Sequence, residues 1–151
     1  FGQVPENILK TSSIKKNKFV NFYGYQNKNN VSSIYKEKNF IFLSLELLPA
    51  CPNSILESLA SGIPVIGFRT GAFDEIITKE VGVIIDFDKQ KLLSNNLNDF
   101  EGLIVLINQA VKKIKDNYLQ YSNNAIKHYK KLYTSKIMLD NYFNFLNSKF
   151  K

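Results

Sequence analysis

Residues 44–75 read SLELLPACPNSILESLASGIPVIGFRTGAFDE, and this stretch decides the fold. Its pattern predicts a strand, a loop, a short helix, a second strand, a second loop and the start of another helix. The unusual residues are crowded into the two loops. Because an open parallel sheet binds its ligand in the loops at the carboxyl ends of its strands, we expect a binding site here.

The short helix has clear start and stop signals. Pro52 suits its first turn, because the fixed φ of proline fits there and its missing N–H would have had no partner. Gly62 and Pro64 end it. At about 100° per residue, the helix has an apolar side and a polar side. The apolar side holds Ile55, Leu56, Leu59 and Ala60, and the polar side holds Asn53, Ser54, Glu57 and Ser61.

The amino end of this helix is suited to bind an anion. Its free N–H groups and positive dipole end lie at residues 52–54, where a diphosphate would be stabilised. Glu57, one turn further on, is placed to accept hydrogen bonds from the hydroxyls of a sugar. The alternative interpretation is a surface helix with a solvated glutamate.

Two segments, CPNSILESLASGIPVIG at 51–67 and TGAFDEII at 70–77, resemble the donor-binding signature of the family-four retaining glycosyltransferases. Upstream, VNFYGY at 20–25 and FIFLS at 40–44 resemble the two preceding strands of the same domain. The resemblance implies the C-terminal half of the two-Rossmann-domain (GT-B) fold. In that family this half holds a nucleotide diphosphate sugar, here a UDP- or GDP-sugar, in a cleft facing an N-terminal acceptor domain.

The expected fold class is α/β, with a Rossmann-like parallel sheet, flanking helices and a C-terminal helical tail. We expect residues 1–151 to form a single nucleotide-sugar-binding domain, with an α/β part over 1–88 and a helical part over 98–150. The pattern predicts strands near 19–23, 40–44, 63–67 and 82–86, and helices near 30–37, 52–61 and 72–79.

The chain also looks like an N-terminally truncated GT-B half. Phe1 and Gly2 resemble the end of the family's second strand, so the first strand is expected to be missing together with the acceptor domain. In the family that strand lies between the strands predicted at 19–23 and 40–44. We therefore expect a gap between those two, or a strand supplied by a neighbour, because exposed strand edges pair readily.

The resemblance also implies site residues. Glu57 matches the second of a pair of glutamates and is implied to hold the ribose of the nucleotide. The first glutamate of the pair would fall at Pro49, where a carboxylate is absent, so Glu46 is the nearest candidate ligand of the transferred sugar. The remaining residues implied to bind the donor are Gly24, Tyr25, Pro52, Asn53, Ser54, Ile55 and Gly71.

Arg69 and Glu75 lie in or after the second loop. We expect Arg69 to help to bear the diphosphate charge that develops in the transition state, and the alternative is a surface arginine. Glu75 is interpreted as a first-turn residue that stabilises its own helix.

For the intact enzyme, the resemblance implies transfer of a hexose from the nucleotide donor to an acceptor hydroxyl, with retention and without a metal or other cofactor. The acceptor is expected to be a glycan or a lipid-linked glycan, in polysaccharide or lipopolysaccharide assembly in a bacterium. The chain alone is expected to be inactive. Two alternatives stay open: a catalytically silent nucleotide-sugar-binding or interaction module, and a sugar-nucleotide epimerase of the same architecture.

Composition limits the location and the chemistry. With 44% apolar and 13% aromatic residues the chain is globular, and one cysteine cannot form an internal disulfide. No apolar run approaches the ~20 residues of a membrane span, so we expect a cytoplasmic protein, peripheral at most at the inner face of the membrane. His128, the only histidine, has no sequence neighbour at metal-ligand spacing.

The net charge of +7 comes entirely from residues 112–151, which contain nine lysines and two aspartates. Attraction to an anionic membrane surface is one interpretation. We favour composition bias, because the chain has 19 lysines, one arginine and 18 asparagines. No nucleic-acid-binding motif accompanies the charge.

Three apolar stripes follow at helical spacing, and we expect them to form core and leave only the lysines to touch lipid. A weak membrane contact is the most that this predicts. The stripes consist of Phe100, Leu103, Ile104, Ile107, Ala110, Val111 and Ile114; of Tyr118, Tyr121, Ala125, Tyr129 and Leu132; and of Leu139, Tyr142, Phe143, Leu146 and Phe150.

Overall fold

The computed structural model describes residues 26–35, 39–47, 49–88, 90 and 97–149. The chain divides into two compact units, residues 1–37 and 38–151. In the first unit, helix α1 (Lys28–Tyr35) begins two residues before its predicted start. The Asn27 side chain caps it, since Asn27 Oδ1 accepts the Asn30 N–H at 2.9 Å.

The second unit alternates strands and helices and then continues as helix alone, which confirms the α/β class and the helical tail. Its strands are parallel, and the described sheet has the order β1-β2-β3. Its elements are β1 (Phe42–Leu43), α2 (Asn53–Ala60), β2 (Val65–Phe68), α3 (Phe73–Ile76), β3 (Gly82–Ile85), α4 (Leu97–Asp116), α5 (Tyr118–Leu132) and α6 (Ser135–Lys149).

Strand β2 is buried on both faces, as a central parallel strand must be. Val65 faces a cluster built from α2, α3 and α5, whereas Ile66 and Phe68 face a second cluster built mainly from α4. The alternation follows from the two-residue period of a strand. Among the described residues, helices therefore cover both faces of the sheet.

Helix α2 ends where the sequence predicts. Gly62 has a φ of +74°, the left-handed conformation that terminates helices. Pro52 is the N-cap rather than a first-turn residue, so the helix begins one residue later than expected. The apolar side is rotated slightly from the predicted one: Ser58 is fully buried beside Leu59, and Ala60 is exposed.

The other α/β elements are shorter than predicted or lie outside the described residues. Helix α3 ends at Ile76 because Ile77 is extended, with a φ of −98°. Only Phe42 and Leu43 form β1 within the predicted 40–44, and β2 and β3 begin and end within two residues of their predicted bounds. The strand predicted at 19–23 lies outside the described residues, and so does the predicted gap beside it.

The three apolar stripes of the helical tail are buried to different extents. In α4, Leu103, Ala110 and Ile114 are buried, whereas Phe100 and Ile104 are exposed, so the prediction of core is wrong for those two. In α5, Tyr121 and Ala125 are buried, and α5 packs along α2. The prediction of core is wrong for α6, in which no described residue is buried. Helix α6 contacts α5 but leaves its apolar side in solvent, because no described element covers it.

Candidate functional site

The carboxyl ends of the three parallel strands meet at one edge of the sheet. The segments that leave them are residues 44–52 after β1, 69–72 after β2 and 86–88 after β3. These segments are exposed at several points, including Glu46, Arg69 and Asp86. This edge therefore gathers the residues that the sequence analysis singled out in different loops.

A backbone hydrogen bond joins the first two segments. The Ala72 N–H donates to the Pro49 carbonyl oxygen at 3.0 Å. Gly71 stands beside this bond with a φ of +53°, and a Cβ at Gly71 would overlap the same Pro49 oxygen. Glycine is needed at position 71 both for its conformation and for this close approach.

The amino end of α2 opens at the same edge. The N–H groups of Asn53 and Ser54 have no partner among the described residues, and Pro52 supplies no side-chain cap. Both residues are exposed, and Glu57 is exposed on the same side of the helix. Ile55 differs, because its side chain is fully buried and its N–H donates to the Pro52 carbonyl oxygen at 3.1 Å.

Arg69 is the cation that the described residues place at this edge. Its Nε donates to Asp86 Oδ2 at 3.0 Å, and its Nη1 donates to Asp74 Oδ1 at 2.8 Å. The arginine therefore joins the end of β2, the start of α3 and the end of β3. Because two carboxylates hold one guanidinium, the local charge of the three side chains is negative, and an incoming anion would compete with the aspartates.

The carboxyl end of α5 reaches the loops around α2 and α3. The Tyr133 hydroxyl donates to the Glu75 carbonyl oxygen at 3.4 Å. Burial raises the pKa of Tyr133, and electrostatic interaction with the neighbouring Cys51 and Glu75 raises it further. His128 lies beside Tyr133, with ring centres 5.6 Å apart, and its Nε2 is 3.1 Å from the Ile76 carbonyl oxygen.

These contacts indicate structural roles for the side chain of His128 and the backbone of Glu75. An Nε2 that carries the proton donates to the Ile76 carbonyl, which fixes the end of α3 on α5. Glu75 lies in the first turn of α3, as predicted. Among the described residues, no group of histidine, cysteine, aspartate and glutamate side chains is arranged to hold a metal ion.

The other candidate residues do not form one group in the structure. Glu46 is exposed after β1, and its N–H donates to Ser44 Oγ at 3.4 Å. Gly24 and Tyr25 lie outside the described residues. Thr70, between Arg69 and Gly71, is buried, and its hydroxyl has no hydrogen-bond partner among the described residues.

Two cavities lie at the opposite, amino edge of the sheet. One of about 270 Å³ is lined by polar residues that include Lys79, Glu80 and Asn124. The other, of about 490 Å³, lies beside Phe40 and Tyr118, where the Tyr118 hydroxyl donates to the Phe40 carbonyl at 3.0 Å. Neither cavity includes a residue predicted to bind the donor.

Sequence reasoning missed the partners of Arg69. Asp86 directly follows β3 and Arg69 directly follows β2, and the Arg69 N–H donates to the Ile85 carbonyl at 2.9 Å. Neighbouring parallel strands bring such residues together, so the strand ends contained the signal. The sequence contains no comparable signal for the contact of Tyr133 with Glu75, because that contact depends on how α5 packs.

One comparison with known proteins identifies a family. A comparison with protein families matches residues 6–103 to the family described as glycosyl transferases group 1. The matched range contains the three strands, α2, α3 and the three loops of the carboxyl edge. A search of curated proteins found no match. Because the family match covers most of the chain, this protein belongs to the group 1 glycosyltransferases.

Proposed function

We propose that the chain is the donor-binding half of a family-four retaining glycosyltransferase and binds a UDP- or GDP-sugar at the carboxyl edge of its sheet. Residues 1–151 would act as one donor domain, with the hexose transferred to a glycan or lipid-linked acceptor held by a separate acceptor domain. Without that domain, the chain binds the donor but does not transfer it.

The observation that supports this proposal most is the open amino end of α2 beside the joined loops. The unpaired N–H groups of Asn53 and Ser54 and the helix dipole provide a ready site for the diphosphate. Glu57 lies on the same exposed side, where its carboxylate would accept hydrogen bonds from the ribose hydroxyls. Gly71 allows the second loop to approach the first closely.

Two side chains would act on the reacting end of the donor. Glu46 would contact the transferred sugar. Arg69 would stabilise charge on the diphosphate leaving group if it exchanges one of its aspartates for a phosphate oxygen, and no metal is then needed for that role. Gly24 and Tyr25 stay proposed donor ligands on the strength of the family resemblance alone. Ile55, which is fully buried, would support the donor site from the core.

A catalytically silent nucleotide-sugar-binding module is the second candidate. One feature favours it: by the family resemblance, the first glutamate of the pair falls at Pro49, which has no carboxylate. Pro49 serves here as a backbone acceptor for Ala72. Both candidates bind the donor, and they differ in whether the intact protein transfers the sugar. An intact enzyme of this kind would act at the cytoplasmic side of a bacterial membrane, in polysaccharide or lipopolysaccharide synthesis.

Titration calorimetry of the full chain with UDP and GDP tests the binding step. A charge-assisted hydrogen bond contributes about 1.5–3 kcal/mol, so Glu57→Ala should weaken the affinity for the preferred nucleotide roughly 10- to 100-fold. Glu80→Ala is the matched control, because Glu80 is an exposed glutamate beside the cavity at the opposite edge. Equal affinities for the two variants would contradict the assignment of Glu57.

A further inference from the structure

Arg69 contacts two aspartates through two different nitrogens, and the two contacts are not equivalent. Its Nη1 donates to Asp74 at 2.8 Å, and its Nε donates to Asp86 at 3.0 Å. The side chain of Asp74 is 46% exposed, and that of Asp86 is 80% exposed. Releasing Asp86 costs less free energy, because an exposed ion pair contributes little and this carboxylate is already largely hydrated.

The strand order places the two aspartates differently with respect to the amino end of α2. Arg69 follows β2, the middle strand, and α2 follows β1. Asp74 lies in α3, which also follows β2, whereas Asp86 follows β3 on the other side of Arg69. A guanidinium that turns toward an anion at the amino end of α2 therefore moves away from Asp86 and can keep its contact with Asp74.

Part of the guanidinium is available to such an anion. Nε and Nη2 lie on one edge of the planar group, and Nη2 has no hydrogen-bond partner among the described residues. Asp86 thus uses one of two donors on an edge that can bind two oxygens at once. A phosphate group that replaces Asp86 would accept from both nitrogens. A lysine would offer no such edge, and position 69 holds the one arginine of a chain with 19 lysines.

We propose that Asp74 is the positioning residue for Arg69 in donor binding and that Asp86 is an internal competitor of the donor diphosphate. This inference rests on the proposed donor site. Asp74 keeps the guanidinium at the carboxyl edge before and after the donor binds. Asp86 occupies the Nε edge in the free chain, and the diphosphate replaces it there. The two carboxylates therefore affect the affinity for the donor in opposite directions, although both contact the same side chain.

Three alanine variants of the full chain separate the two roles, since each variant removes one negative charge. Asp86→Ala should strengthen the binding of inorganic pyrophosphate about 1.5- to fivefold, because the competing contact is lost. Asp74→Ala should weaken it about two- to tenfold, because binding must then immobilise a free arginine side chain. Asp88→Ala is the matched control and should bind as the parent does. Asp88 is exposed, and its Oδ1 accepts the Gln90 N–H at 2.9 Å.

The Nε–H signal of Arg69 in ¹⁵N-labelled chain measures these affinities at physiological salt, and it is the one arginine signal of the chain. Asp74→Asn distinguishes positioning from net charge. It retains an acceptor oxygen for Nη1, so it should bind pyrophosphate more tightly than Asp74→Ala. Effects of Asp86→Ala and Asp74→Ala in the same direction, equal affinities of the two Asp74 variants, or a signal that pyrophosphate does not move would overturn the proposal.

Calorimetry with UDP, GDP and their nucleosides separates this inference from the proposed function. The variants should change the affinity for the preferred diphosphate and leave that for its nucleoside unchanged, since only the diphosphate contacts Arg69. Nucleotide binding that Asp86→Ala and Asp74→Ala leave unchanged would overturn the inference alone. Absence of saturable binding of UDP and GDP, with opposite effects of these two variants on pyrophosphate, would contradict the proposed function and support the roles of the two aspartates.

Discussion

Replacing Gly71 by alanine should destabilise the protein, because position 71 joins the two loops of the carboxyl edge. The φ of +53° costs an L-residue about 1–2 kcal/mol. The new Cβ would also overlap the Pro49 oxygen, so one loop must move and the 3.0 Å hydrogen bond from the Ala72 N–H is lost. That bond contributes about 1 kcal/mol. We expect a total loss of about 2–3 kcal/mol in the free energy of unfolding.

Urea denaturation followed by circular dichroism measures this loss, and a thermal scan should show a melting temperature lower by about 5–10 °C. Gly102→Ala is the matched control. Gly102 is exposed within α4, and a Cβ there would meet no atom within 4 Å. Alanine should therefore stabilise α4 by about 0.5–1 kcal/mol, since glycine is a poor helix former. Replacement of glycine by alanine should thus lower the free energy of unfolding at position 71 and raise it at position 102. A Gly71→Ala variant as stable as the parent would refute the account of the loops.

Two further predictions concern the core and the pH dependence of stability. Leu59→Ala should cost about 2–5 kcal/mol in urea denaturation, because Leu59 is fully buried, whereas Leu139→Ala on α6 should change the free energy of unfolding by less than about 0.5 kcal/mol. Equal costs would show that α6 is packed. Burial raises the pKa of Tyr118 and Tyr133 above 10.0, so the folded state holds these protons more tightly than the unfolded state. The contribution of these two tyrosines to the free energy of unfolding is complete below pH 10. It is lost as the pH rises to their pKa values in the folded state. Tyr133→Phe should flatten the fall in stability above pH 10, and an unchanged slope would contradict the assignment.

Much of the fold could be predicted because its signals are local. Pro52, Gly62 and Pro64 bound α2 within one residue of the predicted limits, since capping and left-handed backbone depend on the residues themselves. The parallel sheet followed from the alternation of short apolar runs with helical patterns. The length of α3 could not be predicted in this way, because Ile77 leaves the helix to pack in the core beside Phe73.

The errors concern tertiary packing. An apolar stripe predicts an amphipathic helix, but not whether another element covers it. The stripe of α4 is partly buried against the sheet, and that of α6 is not. Likewise, the helix end at Asn53 and Ser54, which has no backbone partner among the described residues, was predictable. The contact of Arg69 with Asp86 depends on the register of β2 and β3, and its contact with Asp74 depends on where α3 begins.

The central claim is that the nucleotide binds at the carboxyl edge of the sheet, and a titration followed by amide NMR tests it most directly. Uniformly ¹⁵N-labelled full chain would be titrated with UDP and with GDP, and the shifts of backbone amides and of the Arg69 Nε–H recorded. The account predicts that the nucleotide that binds perturbs Asn53, Ser54, Glu57 and Gly71 together with Arg69. It also predicts that Lys79 and Asn124, beside the cavity at the amino edge, stay unperturbed. Shifts confined to the amino edge, or no saturable shift with either nucleotide, would contradict it.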